Sequence, residues 1–199
     1  MISFNVVAST SEDTVVSTYE PSKVRSDSYQ SETELEKEFI RLLCEQGYTY
    51  LPLHTEDELV ANLRTRLEEL NHYTFSDTEW QQFFSDVIAN PNEHIPEKTR
   101  KIQEDNVQIL HRDDGSTKNI TLIDKRNIHN NRLQVINQYV VTRENGARHD
   151  NRYDVTILVN GFPLVHVELK RRGVAIREAF NQIDRYQRDS FWAGSGLYE

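Results

Sequence analysis

The sequence predicts a mixed α/β fold, in which a β-sheet is flanked by helices and interrupted by a helical insertion. Three segments start with Ser or Thr followed three residues later by Glu, which is the capping-box pattern of helix N-termini. These boxes start at Ser31, Thr55 and Ser76. Apolar residues follow each box at helical spacing, whereas apolar and polar residues alternate from residue 107 onward, as in strands. Helices placed before and within a series of strands indicate the α/β class.

The first 26 residues are polar and rich in Ser and Thr, so we expect an N-terminal arm in which Val6-Val7 and Val15-Val16 can form short strands. Residues 27–199 are expected to form one domain. Its first helix ends near Gly47, a residue type favoured just after a helix. The apolar stripe of this helix comprises Leu35, Phe39, Leu42 and Leu43. Residues 48–53 then predict a short strand.

Residues 55–103 interrupt the strand pattern and predict a helical insertion with two amphipathic helices. The first carries a leucine stripe and the second an aromatic stripe. The second ends at Asn90-Pro91, because a residue before proline avoids the helical conformation. The two stripes comprise Leu59, Leu63, Leu67, Leu70, Trp80, Phe83, Phe84, Val87 and Ile88. We interpret both as core, and a binding groove is the alternative.

Strands resume after the insertion, with tight turns expected at Asp114-Gly115 and Asn145-Gly146. The predicted strands are 107–111, 120–124, 133–142, 152–159 and 164–170. A last helix is predicted over 174–188. Its expected buried stripe comprises Ile176, Ala179, Phe180 and Ile183.

Two carboxylates and a lysine fall on the last predicted hairpin, Asp154 on its first strand and Glu168 and Lys170 on its second. Side chains alternate along a strand, so Glu168 and Lys170 are expected on one face, together with His166. Two carboxylates at one point bind a hard cation such as Mg²⁺ through oxygen, and the backbone carbonyl of Leu169 can add another oxygen. A lysine adds positive charge for a phosphate and its attacking water. A charged edge of an ordinary hairpin is the alternative interpretation.

The register of this hairpin decides whether Asp154 reaches Glu168. A plain two-residue turn at Asn160-Gly161 pairs Asp154 with Val167 and points it away from Glu168. We therefore predict either a three-residue loop or a β-bulge, because each pairs Asp154 with Glu168.

The helix after the hairpin adds Gln182 and Tyr186, which are four residues apart and share one helix edge. With this Gln-x-x-x-Tyr pattern the chain resembles the PD-(D/E)xK nucleases. It resembles closely the N-terminal nuclease region of type I restriction enzyme R (motor) subunits, nearest their IC group. The resemblance covers most of the chain and rests on residues 27–32, 35–40, 151–161, 168–170 and 172–183. Tyr153 departs from it, since many members of the family have proline there.

This resemblance implies a restriction-endonuclease-like fold and Mg²⁺-dependent hydrolysis of DNA phosphodiesters. Asp154 and Glu168, with the Leu169 carbonyl, are then the expected metal ligands, and Lys170 is the expected catalytic lysine. The expected residues for contacting DNA or supporting the site are Gln182, Arg185 and Tyr186.

The resemblance also implies partners: duplex DNA, and the methyltransferase and specificity subunits of a restriction-modification complex. The relatives carry an ATP-driven DNA translocase after the nuclease, and this sequence contains no Gly-x-x-x-x-Gly-Lys-Ser/Thr phosphate loop. We therefore expect the chain to be the N-terminal part of a longer polypeptide, with ATP used only by the complete subunit.

Two acidic residues of the first helix, Glu36 and Glu38, are further candidates, because nucleases of the resembled class often use a carboxylate there. We interpret Glu38 as a solvated surface charge beside the buried face, and leave open whether either residue assists the site. His166 shares the predicted face of Glu168, and we interpret it as structural, with substrate contact as the alternative.

The composition limits the classes of function. The net charge of −9 argues against independent DNA binding. Basic residues nevertheless gather near the candidate site, namely Arg152, Lys170, Arg171, Arg172, Arg177, Arg185 and Arg188. The acidic net charge and the helical insertion, which can serve as a protein-binding surface, leave a non-catalytic DNA- or subunit-docking module as the alternative function. The single cysteine, Cys44, is interpreted as a core residue. No secretory signal or membrane-length apolar run is present, so we expect a cytoplasmic protein.

Overall fold

The computed structural model of the protein describes residues 4–9, 15–19, 31–141, 151–171, 176–189 and 197. The chain divides into two compact units after Gln30. In the first unit, β1 (Phe4–Ser9) and β2 (Val15–Tyr19) form an antiparallel hairpin with a register shift between Val6 and Ala8. The short strands predicted around the valine pairs are therefore confirmed.

Among its described residues the second unit contains five α-helices, and three of them start at the predicted capping boxes. Ser31, Thr55 and Ser76 each accept the N–H of the Glu three residues later, and that Glu accepts the N–H of the capping residue. The helices are α1 (Glu32–Glu45), α2 (Glu56–Asn71), α3 (Asp77–Phe83), α4 (Ile95–Gln103) and α5 (Ile176–Asp189). A π-helical turn, Phe84–Ile88, extends α3. The sequence patterns did not single out α4.

A four-stranded mixed sheet forms the centre of this unit, in the order β3-β6-β7-β8. The short strand β3 runs parallel to β6, and the other neighbours are antiparallel. Its strands are β3 (Thr49–Tyr50), β6 (Leu133–Val141), β7 (Asn151–Val159) and β8 (Phe162–Val167). A separate antiparallel hairpin consists of β4 (Val107–His111) and β5 (Thr117–Thr121). The predicted α/β class, with a mixed sheet and helices, is confirmed.

The sheet is covered on its two faces by different parts of the chain. Helix α1 covers one face through a small cluster centred on Leu43, Val135 and Val155. The insertion and the β4–β5 hairpin cover the other face through a larger cluster, in which Leu59, Leu63 and Leu67 are fully buried. The aromatic stripe joins this cluster: Phe75 stacks on Phe83 with ring centroids 5.7 Å apart and packs against Trp80. The interpretation of both stripes as core is confirmed.

Other expectations from the sequence are wrong, and the strands predicted over 48–53 and 164–170 are observed as Thr49–Tyr50 and Phe162–Val167. The strand predicted over 120–124 starts at Thr117, because Asp114 accepts the N–H and hydroxyl of Ser116 and closes a shorter turn. Phe180 and Ile183 of α5 are 56% and 43% exposed, since no described strand or helix packs extensively along α5. Cys44 is exposed, because it lies on the solvent side of α1.

The predicted turn at Asn145-Gly146 lies outside the described residues. Among the residues that the structure describes, no helix is both long and apolar enough to cross a lipid bilayer.

Candidate functional site

The β7–β8 hairpin has a two-residue turn followed by a bulge. Asn160 and Gly161 form the turn with φ of 51° and 87°, both in the left-handed region that a type I′ turn requires. Val159 pairs with Phe162 across it, so the alternative of a three-residue loop is wrong. The bulge is a separate feature, one step further along the strands.

The register of the hairpin shifts between Ile157 and Leu158. Leu158 pairs with Pro163 but Ile157 pairs with Val165, which leaves Leu164 as an extra residue in β8. The predicted bulge is thereby confirmed. Beyond it, Val155 pairs with Val167, so the next rung sets Asp154 opposite Glu168.

The side chains of Asp154, Glu168 and Lys170 meet where β8 ends. Asp154 Oδ2 accepts the backbone N–H of Leu169 at 2.9 Å. Lys170 Nζ donates to Glu168 Oε1 at 2.5 Å. The Glu168 side chain is 3% exposed and that of Lys170 is 19% exposed. Two carboxylates and an ammonium group therefore share a largely buried site.

Burial and the short distances between the charged groups of Asp154, Glu168 and Lys170 shift the pKa values of Glu168 and Lys170. Burial raises the pKa of Glu168, and the nearby Asp154 charge raises it further, against the opposing effect of the Lys170 hydrogen bond. Burial by itself lowers the pKa of Lys170, but the hydrogen bond and charge of Glu168 outweigh it and raise that pKa. Lys170 therefore keeps its proton at neutral pH, beside carboxylate oxygens that suit a hard cation.

Helix α1 brings two more carboxylates towards this region. Glu36 is buried and accepts Asn137 Nδ2 at 2.5 Å, and also Gln138 Nε2. Glu32 Oε1 accepts the Arg171 N–H at 3.5 Å, and its charge also raises the pKa of Lys170. Sequence reasoning did not single out Glu32. A signal was available, because Glu32 and Glu36 are four residues apart and share one helix face.

Other candidates differ in where they lie. Glu38 is paired with Arg41 at 2.7 Å on the surface, which agrees with a solvated charge. His166 has its Nδ1 2.9 Å from Thr156 Oγ1 and stacks on Tyr153 with ring centroids 4.6 Å apart. Burial lowers the pKa of His166 to about 4, so it is neutral at neutral pH. These contacts favour the structural interpretation of this histidine.

The candidates on the last helix are only partly described. Gln182 is half-buried on α5. The side chains of Arg185 and Tyr186 lie outside the described residues, so their expected roles remain predictions. Within the described ranges, no three His, Cys, Asp or Glu side chains form a ready metal-binding group. The side chains here that could offer oxygen to a cation include the carboxylates of Asp154 and Glu168.

Comparison with known proteins gives consistent matches. Residues 29–199 match the family model described as "Type I restriction enzyme R protein N terminus". The chain is 47% identical over 186 residues to the type I restriction enzyme EcoprrI endonuclease subunit of Escherichia coli, covering 93% of this chain and 58% of that protein.

Two staphylococcal relatives are 38% identical over 175 residues, covering 85% of this chain and 18% of each protein. These are the type I restriction enzyme SsaAORF53P endonuclease subunit of Staphylococcus saprophyticus and the SauMSSORF170P endonuclease subunit of Staphylococcus aureus strain MSSA476. The chain thus spans less than two thirds of the length of each of these relatives.

Proposed function

Because the chain belongs to the family of type I restriction enzyme R protein N termini, we propose that it is the nuclease region of such a subunit and hydrolyses DNA phosphodiesters. The observation that carries this proposal is the meeting of Asp154, Glu168 and Lys170 at the end of the bulged hairpin. A plain hairpin without the bulge would have separated these groups on two faces.

The donor set fits a divalent cation. Glu168 is almost fully buried beside the Asp154 carboxylate, and both its burial and that neighbouring charge raise the pKa of Glu168, so a cation between the two groups would stabilise its ionised form. Mg²⁺ would be held by Asp154 and Glu168, with the Leu169 carbonyl as a third oxygen. When bound, such an ion polarises the phosphate and makes a water molecule more acidic.

The other residues of the site are proposed to have separate roles in the reaction. Lys170, which keeps its proton, stabilises the charge that develops on the phosphate oxygens and orients the attacking water. Asp154 is held in place by the Leu169 N–H, so its carboxylate does not need to reorganise during the reaction. Gln182, Arg185 and Tyr186 on α5 are proposed to contact DNA or to support the site.

The acidic charge of the chain bears on how it meets DNA. With a net charge of −9, the domain binds phosphates weakly by itself, since cations facing the backbone supply most of the affinity for DNA. We propose that the methyltransferase and specificity subunits, and an ATP-driven motor in the complete R subunit, bring DNA to the site.

A docking module is the alternative function, but the helical insertion no longer argues for it. The apolar stripes of the insertion are already buried in the protein's own core, and Leu59, Leu63 and Leu67 are 0% exposed. They are therefore not a groove for a partner.

A supercoiled-plasmid nicking assay on the complete enzyme with ATP and Mg²⁺ tests the proposal. We expect Lys170→Ala to abolish nicking and to leave ATP hydrolysis intact, because the motor is a separate part of the subunit. Lys37→Ala is the matched control, since Lys37 is an exposed lysine on α1. Normal nicking by Lys170→Ala, or loss of nicking together with ATP hydrolysis, would contradict a catalytic role for this lysine.

A further inference from the structure

The pairing of β6 with β7 is interrupted at a single rung. Asn137 pairs with Val155 and Tyr139 pairs with Tyr153, so Gln138 lies opposite Asp154 without a regular bridge. Gln138 has a φ of 53°, in the left-handed region that residues with a β-carbon disfavour. Backbone strain of this kind persists only where the surrounding structure imposes it, and it is concentrated at functional sites.

The face to which side chains point changes at the same rung. Val155 packs on the α1 side of the sheet, and regular alternation would place Tyr153 on that side too. Tyr153 lies instead in the larger core on the opposite face, stacked on His166. Its partner Tyr139 lies in the same core. The alternation of both strands is therefore reset at the rung of Asp154, whose carboxylate reaches the Leu169 N–H from this position.

The amide of Gln138 connects this rung to helix α1. Its Nε2 donates to one carboxylate oxygen of Glu36, while Asn137 Nδ2 donates to the other at 2.5 Å. The Tyr50 hydroxyl donates to Asn137 Oδ1 at 2.9 Å and extends the network to β3. Glu36 is only 8% exposed, so water competes little for these hydrogen bonds.

We propose that Gln138 is a positioning residue for Asp154. The left-handed backbone conformation of Gln138 determines the direction in which the Asp154 carboxylate points from the sheet. The side-chain amide of Gln138 fixes this part of the strand by its hydrogen bond to Glu36. This inference rests on the proposed function, because it assumes that Asp154 holds a divalent cation. Residues that do not bind the metal themselves but orient its ligands increase metal affinity, and their loss costs about 10- to 100-fold in affinity or activity.

Two substitutions separate the backbone effect from the amide effect. Gln138→Gly removes the side-chain amide, but glycine adopts the left-handed backbone conformation without strain. Gln138→Val removes the amide and also opposes that conformation, because a β-branched residue disfavours it. His72 provides matched controls, since it has a φ of 47° at the exposed C-terminus of α2, far along the chain from the site. His72→Gly and His72→Val make the same backbone changes elsewhere.

The measurement is the Mg²⁺ concentration that gives half-maximal plasmid nicking by the complete enzyme, beside Ca²⁺ binding by calorimetry and thermal melting. We expect Gln138→Val to raise the Mg²⁺ midpoint about tenfold or more and to weaken Ca²⁺ binding in parallel. Gln138→Gly should show a smaller increase. Saturating Mg²⁺ should restore nicking by both variants, which a merely misfolded protein would not show. Both His72 variants should keep the wild-type midpoint.

Asp154→Ala in the same assays distinguishes a failure of the proposed nuclease function from a failure of the positioning role of Gln138. Full nicking by Asp154→Ala would reject the proposed function itself. Loss of nicking by Asp154→Ala, with wild-type Mg²⁺ midpoints for both Gln138 variants, would overturn the positioning role and leave the proposed function standing. If Gln138→Val does not fold, the glycine variant decides: a midpoint and Ca²⁺ affinity within twofold of wild type overturn the proposal.

Discussion

The two ends of the β7–β8 hairpin are built in opposite ways. At the turn end, Gly161 lies so close to α2 that a β-carbon on it would be 2.7 Å from Leu63 Cα. The neighbouring Asn160 is 1% exposed and its amide donates to Leu122 O and to Asn131 Oδ1. At the other end, the charged side chains of Glu168 and Lys170 are only 3% and 19% exposed, and Gln138, whose backbone is in the left-handed region, lies opposite Asp154.

The contrast shows how the hairpin combines rigidity with reactivity. At the turn end, the turn residues, the close packing and the hydrogen bonds all favour one conformation. At the site end, local preferences conflict: like charges are close together, and a residue with a β-carbon has a positive φ. We infer that the packed turn end stabilises the strands, so that the site end can hold groups that would not otherwise stay together.

The largest effect is expected from adding a side chain at Gly161, where there is no room for one. Gly161→Ala should lower the free energy of unfolding by about 3 kcal/mol, from overpacking against the Leu63 backbone and from the positive φ together. Gly115→Ala is the control, because Gly115 has a φ of 80° but nothing within 4 Å of an added β-carbon. It should cost about 1 kcal/mol. Equal losses in denaturant titrations of the two variants would contradict close packing at the turn.

A smaller effect is expected between the two ends of the hairpin, at His166 of β8. Its pKa is about 4 when folded and 6.5 ordinarily, so the unfolded chain binds the proton more readily. The contribution of neutral His166 to the free energy of unfolding is therefore fully present above about pH 6.5. It is lost as the pH falls towards 4, by on the order of 2 to 3 kcal/mol. Melting at several pH values measures this.

His166→Gln should flatten this pH dependence, because glutamine does not titrate and can still bond the Thr156 hydroxyl. The exposed His129 offers the control, and His129→Gln should leave the slope unchanged. An unchanged slope in His166→Gln would assign the acid sensitivity to other groups.

The parts of the fold that adjacent residues determine are the parts that the sequence predicts. The three capping boxes lie where the Ser or Thr and Glu pattern places them, because each needs only four consecutive residues. The bulge was predicted by a different route, since only a shifted register brings Asp154 beside Glu168.

Features that depend on distant residues are not predictable in this way. Asn137 and Glu36 are 101 residues apart in the sequence, and nothing near Glu36 indicates its amide partners. The left-handed φ of Gln138 has no local signal either, because glutamine does not favour that conformation. The exposure of Phe180 depends on what covers α5, whereas the periodicity of its sequence shows only that one face is apolar.

A modest gain in stability is expected from removing charge at the site end. Asp154→Asn keeps an oxygen for the Leu169 N–H but relieves the repulsion that raises the pKa of Glu168. We expect the free energy of unfolding at pH 7 to rise by about 1 kcal/mol while nicking is lost, the usual exchange between stability and activity.

The same change beside the turn end, at Asp124, should act in the opposite direction; the Asp124 N–H and the Asn160 side-chain amide both donate to Asn131 Oδ1. Asp124 accepts hydrogen bonds from the Asn127 N–H, the Asn130 side-chain amide and the Arg126 N–H, and these bonds lower its pKa. Asp124→Asn should therefore lower the melting temperature. A gain in both variants would show that the two ends do not differ in how they tolerate charge.

The smallest effect is expected at Glu38, and it sharpens the contrast within α1 itself. The Glu38 side chain is 46% exposed and pairs with Arg41 at 2.7 Å. Water and salt screen such a pair, and Arg41 keeps Glu45 as a second partner. Glu38→Gln should therefore change neither the melting temperature nor plasmid nicking measurably. Glu36→Gln, two residues away, should lower both, because a buried amide group would face the donors of Asn137 and Gln138. Reduced nicking by Glu38→Gln, with Glu36→Gln unaffected, would mean that the other face of α1 serves the site.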